Sequence, residues 1–249
     1  MSEPTDYEQM AKIYDRGRTL PLEQIDELRV VLEKYLGPGG ARVLDLGSGT
    51  GLFAEALATW FDVRVVGVEP SEAMRRKARA KAIPGVAYLG GEAEHIPLRE
   101  RTCDHAWLST VLHHIPDLRR CARELRRVLR NGGRVLIRSG FGDRLEGITW
   151  LRFFPTGREV AAQRWPSVDA TVEAFATAGF RLEALHPVPE VTATSMQAYC
   201  ERISTRANST LTVIDDRAFE EGVERLRKAA ASASTTEPVV DERDLLVLR

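Results

Sequence analysis

The segment Val43-Leu44-Asp45-Leu46-Gly47-Ser48-Gly49-Thr50-Gly51 constrains this chain more than any other. A branched apolar run ends beside an acid, passes at once into G-x-G-x-G, and is followed by the helical stretch Leu52–Trp60. Glycine at such a strand-to-helix turn allows a tight bend and leaves no side chain between the backbone and a ligand. A dinucleotide loop would read G-x-G-x-x-G, but position 52 is Leu, so the third glycine falls one place early. No Lys-Ser or Lys-Thr follows, which excludes the triphosphate-binding loop.

The rest of the chain repeats that switch. Branched runs at Val43–Leu46, Val65–Val68, Val86–Leu89, Ala106–Leu108 and Val135–Ile137 alternate with helical stretches at Leu52–Trp60, Ser71–Ala82 and Asp117–Leu129. This rhythm predicts a parallel sheet with helical crossovers, whose strand ends are where open α/β sheets take ligands. Leu22, Ile25, Leu28, Leu32 and Leu36 predict an amphipathic helix over Thr19–Leu36, stopped by Gly37-Pro38-Gly39-Gly40. Beyond Gly140 the rhythm breaks. Residues 143–165 are rich in arginines and aromatics, and read either as an irregular surface excursion or as a lid over the active end of the sheet. Helices are expected at Asp169–Ala178, Met196–Arg206 and Arg217–Ala230, with a solvent-exposed link at Ala231–Thr236. Strands are expected at Arg181–Leu185, ending before Pro187 and Pro189, and over Asp244–Arg249. The last two would pair as antiparallel neighbours, making 190–240 an insertion between them.

Composition narrows the function classes. In 249 residues, 35 Lys and Arg balance 36 Asp and Glu, so no net field exists to hold a polyanion or an acidic membrane surface. The arginine cluster at 119, 120, 123, 126, 127 and 130 reads as a solvated helix face, interrupted by Glu124. Cys103, Cys121 and Cys200 are widely spaced and odd in number, which disfavours a disulfide framework or cysteine-built zinc site and points to a reducing cytoplasm. No signal peptide, membrane span or metal cluster is evident. Nothing in one chain decides between monomer and homodimer.

Glu69 closes the second strand of the pattern, within Val65-Val66-Gly67-Val68-Glu69-Pro70. A carboxylate there accepts hydrogen bonds from both hydroxyls of a ribose, or else caps the following helix beside Ser71. With the glycine loop it points to a nucleoside.

At these residues the chain resembles the class I S-adenosylmethionine-dependent methyltransferases, in the small-molecule branch that includes the ubiquinone and menaquinone enzymes. The resemblance rests on Val43–Gly51, Glu69, Gly91-Glu92-Ala93-Glu94 with Ile96-Pro97-Leu98, Asp104–His114, and Leu129-Arg130-Asn131-Gly132-Gly133-Arg134-Val135-Leu136. It implies a Rossmann-like α/β fold: a seven-stranded sheet, mostly parallel with its last strand antiparallel, and helices on both faces. It implies S-adenosyl-L-methionine as cofactor, S-adenosylhomocysteine as product, and a small-molecule acceptor. One domain over 1–249 is expected, with a helical cap at 1–36, a cofactor-binding core at 40–140, and insertions at 143–165 and 190–240 covering the acceptor.

Carried over by position, Gly47, Ser48, Gly49 and Gly51 line the methionine part, with Asp45 beneath holding loop backbone or a water near the amino group. Glu69 takes the ribose hydroxyls and Pro70 or Ser71 flanks the adenine. Glu92, where the family more often has aspartate, meets the adenine amino group with the backbone of Ala93. Ser109 touches the methionine portion, and Tyr7 reaches the cofactor from the N-terminal segment.

His114, His113 and Tyr14 are the catalytic candidates. The histidines are natural bases near neutral pH, or residues that shape the loop before Asp117; His186 is a second candidate. Arg138, Trp150, Phe153 and Phe154 are the substrate-binding candidates. A buried arginine at 138 needs an anionic partner, from an acidic substrate or from an internal ion pair. The alternatives to methyl transfer are a different reaction on the same fold, or a non-catalytic nucleoside-binding subunit.

Overall fold

The computed structural model describes residues 25–37 and 39–249. Helix α1 (Asp26–Leu36) precedes β1 (Arg42–Leu46), α2 (Leu52–Trp60), β2 (Arg64–Val68), α3 (Glu72–Ala80), β3 (Val86–Leu89) and β4 (Cys103–Ser109). Then follow α4 (Leu118–Val128), β5 (Leu129–Ser139), α5 (Pro155–Arg164), α6 (Val168–Ala176), β6 (Leu182–Ala193), α7 (Met196–Ser204), α8 (Asp216–Ser232) and β7 (Val239–Leu248).

All seven strands form one sheet in the order β3-β2-β1-β4-β5-β7-β6. The strands β1 to β5 pair in parallel, and β7 runs antiparallel to β5 and β6. The order reverses at β1, so β1 and β4 open a crevice at their carboxyl ends, where Gly47 follows β1 and Ser109 closes β4.

Alternation along the strands separates two cores. Leu44, Leu46, Val135, Ile137, Leu246 and Leu248 face α4 and α6, whereas Val43, Leu136, Leu245 and Val247 face α1, α2 and α3. Burial on both faces explains the near-continuous apolar runs of the sequence. A third cluster lies apart: Trp150, Phe154, Ala161, Tyr199, Leu211, Val223 and Leu226 join the segment 145–165 to α7 and α8.

Several sequence expectations need correction here. The strand expected to stop before Pro187 runs through Pro189 to Ala193. Among the described residues it is the sheet edge, paired with β7 on one side, so prolines without an N–H cost no ladder bond on the outer side. Its partner begins at Val239 rather than Asp244. The 143–165 stretch contains the helix α5, whose Pro155 occupies the first turn, where no N–H is needed. The expected link at 231–236 starts inside α8.

The basic face of α4 is solvated: Arg119, Arg120 and Arg123 are exposed, Arg119 pairing with Glu173 at the surface, while Arg126 stacks on Phe180 at 3.7 Å and Arg130, at the start of β5, pairs with Asp104. Among the described residues no helix is long and apolar enough to cross a membrane, and no group of His, Cys, Asp or Glu is arranged to hold a metal ion.

Candidate active site

The glycine loop is built from backbone donors. Gly47 N–H donates to the Val68 carbonyl at 2.8 Å and Gly51 N–H to the Ser48 carbonyl at 2.9 Å, tying the loop to the end of β2. Gly47 has φ +74°, and a Cβ there would stand 2.5 Å from Val111 Cγ2. Glycine at 47 therefore serves both the turn and the approach of the next wall. At Gly51, the N-cap of α2, an added Cβ would collide with Tyr88 Oη. Gly51 borders neither cavity described below, and its missing Cβ serves the packing of α2 on the sheet.

Glu69 faces the loop from β2. Its Oε2 accepts from Gly49 N–H at 3.0 Å and its Oε1 from Ser71 N–H at 2.9 Å. Burial raises its pKa, opposed by those two N–H bonds and by Arg75. Each oxygen keeps a second lone pair for a hydroxyl donor. Ser71 is the N-cap of α3, accepting from Met74 N–H at 3.4 Å. The two readings of Glu69 thus divide: Ser71 caps the helix, and Glu69 faces a cavity.

That cavity, of about 560 Å³, is lined by Gly47, Gly49, Glu69, Pro70, Glu92, Ala93, Ser109 and His114. Its outer wall, the loop carrying Glu92 and Ala93, is fixed to α4. Arg127 donates to the carbonyls of Leu98 at 2.7 Å and Ile96 at 2.8 Å, while Glu124 accepts from Ile96 N–H at 2.9 Å.

A second cavity, of about 130 Å³, lies alongside and shares Gly47, Ser109, Thr110 and Ser209 with the first. Asp45, Ser48, His113, Arg138, Trp150, Trp165, Asn208 and Asp241 also line it. Thr110, between the cavities, holds φ +52°, which is sparsely populated for a β-branched residue, and its N–H is pinned to the Arg138 carbonyl at 2.8 Å.

Asp45 is buried under the loop, and its carboxyl is pushed up to about 8, first by burial and then by the neighbouring Glu69. Among the described residues, Asp45 Oδ2 and Ser48 Oγ are buried side-chain oxygens without a hydrogen-bond partner. S-adenosylmethionine fits this donor and acceptor set. Ribose hydroxyls suit the spare lone pairs of Glu69, an ammonium suits Asp45, and 560 Å³ is within the range of small-molecule cavities.

The two histidines separate. They share the turn Leu112–His114 with ring centroids 4.0 Å apart, yet His114 borders the first cavity and His113 the second. His113 Nε2 lies 3.2 Å from Ser209 Oγ. His186 is elsewhere, bonded through Nε2 to Tyr35 Oη at 2.5 Å.

Arg138 is 4% exposed and its guanidinium is paired with both carboxylate oxygens of Glu190, itself 0% exposed. Its Nη1 also donates to Ser109 Oγ at 3.0 Å. The internal ion pair answers the question left open at 138: this arginine is neutralised by β6 and does not call for an acidic substrate. Trp150 borders the second cavity as expected, but Phe153 and Phe154 do not. Phe154 packs against Trp150 and Phe219 in the third core, with centroids 6.0 and 5.9 Å apart, because α5 turns it toward α8. Tyr7 and Tyr14 lie outside the described residues.

Sequence reasoning missed Thr110, Asn208 and Ser209. They carry no local motif, and Ser209 is 96 positions from the histidine it meets.

A methyltransferase domain family matches residues 44–137. The chain is 30% identical over 203 residues to 27-O-demethylrifamycin SV methyltransferase of Amycolatopsis mediterranei, covering 76% of this chain and 71% of that enzyme. It is 32% identical over 135 residues to the demethylmenaquinone methyltransferase of Clavibacter sepedonicus, covering 53% of this chain and 55% of that enzyme. A crystal structure described as a methyltransferase from an antibiotic biosynthesis pathway of Anabaena variabilis superposes with a TM-score of 0.73 at 19% identity, over 92% of this chain and 100% of that one. This last likeness is one of fold.

Proposed function

The chain belongs to the class I S-adenosylmethionine-dependent methyltransferases of the small-molecule type, and on that premise we propose that it methylates a small organic acceptor in the biosynthesis of a specialised metabolite. The observation that carries this reading is the second cavity. It adjoins the nucleoside-sized one across Gly47, Ser109, Thr110 and Ser209, and much of its wall comes from outside residues 44–137. The relative matched over most of its length acts, by its name, on an antibiotic precursor, which supports a specialised metabolite.

The sulfonium of the bound cofactor supplies an electrophilic methyl carbon with a neutral leaving group, so the protein need only align a nucleophile, exclude water and, where needed, accept a proton. Glu69 holds the ribose hydroxyls, Glu92 and Ala93 meet the adenine, and Pro70 flanks it. Asp45, with Ser48 above it, receives the ammonium, so the methionine end of the cofactor reaches from the first cavity into the second and the acceptor approaches from the Trp150 and Trp165 side. The Gly47 and Ser109 backbone holds the amino-acid portion at the junction of the cavities. Trp150 and Trp165 close the acceptor side, and their bulk excludes water from it.

Calorimetric titration with S-adenosylmethionine and S-adenosylhomocysteine tests the reading, with NAD as control. The expected result is one site per chain, a loss of at least about tenfold in affinity in Glu69→Ala, and no NAD binding. Folded protein that binds neither sulfur compound would refute the site assignment.

A further inference from the structure

Ser209 stands at the junction of the two cavities. Its hydroxyl belongs to the excursion between β6 and β7, it is 5% exposed, and it borders both cavities while standing 3.2 Å from His113 Nε2. We propose that Ser209 and His113 form a proton-accepting pair at the junction of the two cavities, and that the acceptor therefore presents a hydroxyl group to be methylated on oxygen. The proposal rests on the methyltransferase reading and deepens it.

The turn that delivers Ser209 is fastened on both sides. Arg206, at φ +56°, donates from Nε to the Leu211 carbonyl at 3.0 Å and from Nη2 to the Ile214 carbonyl at 2.5 Å. Asn208 Oδ1 accepts from Thr210 N–H at 2.8 Å, and Thr212 Oγ1 donates to the Ser209 carbonyl at 2.8 Å. Leu211 and Ile214 anchor the same turn in the third core. His113 is held in its own turn between the rings of His114 and Trp165, with centroids at 4.0 and 6.0 Å. Both members are thus set by packing, as a proton-transfer pair requires.

A serine hydroxyl has one proton to give and two lone pairs. Donating to His113 Nε2 leaves Ser209 Oγ able to accept from an acceptor O–H at the same time. As the acceptor oxygen bonds to the methyl carbon, its proton passes to Ser209 Oγ and the serine proton passes to Nε2 of the neutral imidazole. The carbon–sulfur bonding pair leaves with sulfur, and the imidazolium later returns its proton to solvent. An oxygen-to-oxygen relay suits a hydroxyl, which enters already hydrogen-bonded; a carbon acid makes no such bond.

The test compares wild type, Ser209→Ala, Ser209→Thr and His113→Gln. Titration with S-adenosylhomocysteine comes first: binding lost in wild type defeats the methyltransferase reading itself, whereas binding kept within about threefold in the variants isolates the pair. In that complex the imidazole nitrogen NMR signals of His113, assigned by their loss in His113→Gln, should move in Ser209→Ala and return in Ser209→Thr. Signals identical in wild type and Ser209→Ala overturn the proposal, whether or not an acceptor has been found. Release of S-adenosylhomocysteine is then followed with a panel of phenols, aliphatic alcohols and carbon acids. Methylation of a hydroxyl compound, with kcat down about 100-fold in Ser209→Ala and KM for the cofactor held, supports the pair. Methylation confined to carbon acids overturns it.

Discussion

Replacing Asp45 with asparagine should make the unliganded protein steadily more stable, relative to wild type, as pH rises from 5 to 8. Asp45 is 2% exposed, its Oδ2 has no hydrogen-bond partner, and Glu69 adds a second buried carboxyl nearby. These conditions push the carboxyl up to about 8, burial being the larger cause. In the unfolded chain the same group titrates near 3.9. The unfolded state therefore releases this proton first, and ionisation favours unfolding. The stability that Asp45 contributes is complete below about pH 4 and is lost as pH rises toward 8, at about 1.4 kcal/mol per unit in that window. Between pH 5 and pH 8 the loss approaches about 4 kcal/mol, large against a total stability of about 5–15 kcal/mol. Asparagine has nearly the same shape and does not ionise, so its stability curve lacks this slope. Glu69, also raised by burial, tilts both curves the same way and largely cancels in the difference. Urea unfolding of both proteins at pH 5, 6, 7 and 8 reads the effect directly. Parallel curves, with a constant gap between wild type and Asp45→Asn, would refute the claim that burial holds this carboxyl in its neutral form.

The ion pair behind the second cavity gives a separate test: Glu190→Gln leaves the Arg138 charge buried at 4% exposure and should cost about 3–5 kcal/mol in denaturant unfolding. The double change Arg138→Met with Glu190→Leu should cost much less, and a single change costing under about 1 kcal/mol would show that the pair is not the support we assign. Gly47→Ala forces a side chain into φ +74° and against Val111, so it should cost about 1–3 kcal/mol and lower S-adenosylhomocysteine affinity at least about tenfold. Adding Val111→Ala should recover part of the affinity but not the backbone strain; unchanged affinity in Gly47→Ala would remove the loop from the cofactor site.

The legibility of this molecule follows from how far apart its interacting parts lie in the chain. Among the described residues, the larger cavity draws its wall from residues 46–120 and, beyond them, Ser209. Each of its devices is local: a glycine turn, an acid at the next strand end, a loop after the third strand. Such features impose residue types at fixed spacing, so Glu69 and Glu92 could be placed before any coordinates. The second cavity joins the glycine loop and the start of α2 to residues of β4, β5, β6, α7, β7 and the segment 140–165, and no local rule governs which of these distant side chains meets the loop. Arg138 shows the difference. Its need for an anion was evident from sequence, but the choice between a substrate and Glu190 depended on β6 continuing past two prolines, which only its place at the sheet edge permits. Phe154 shows the converse error, since an aromatic after a strand end looks like a pocket wall until α5 rotates it into a core shared with α8. The two excursions, separate in the sequence, pack together through that core, so a substitution in α8 at Gly222, where an added Cβ would meet the Phe154 ring, bears on Trp150 and hence on the acceptor wall. On the proposed reading, acceptor choice is in this sense a property of the packing between the excursions, and cofactor choice a property of the strand ends.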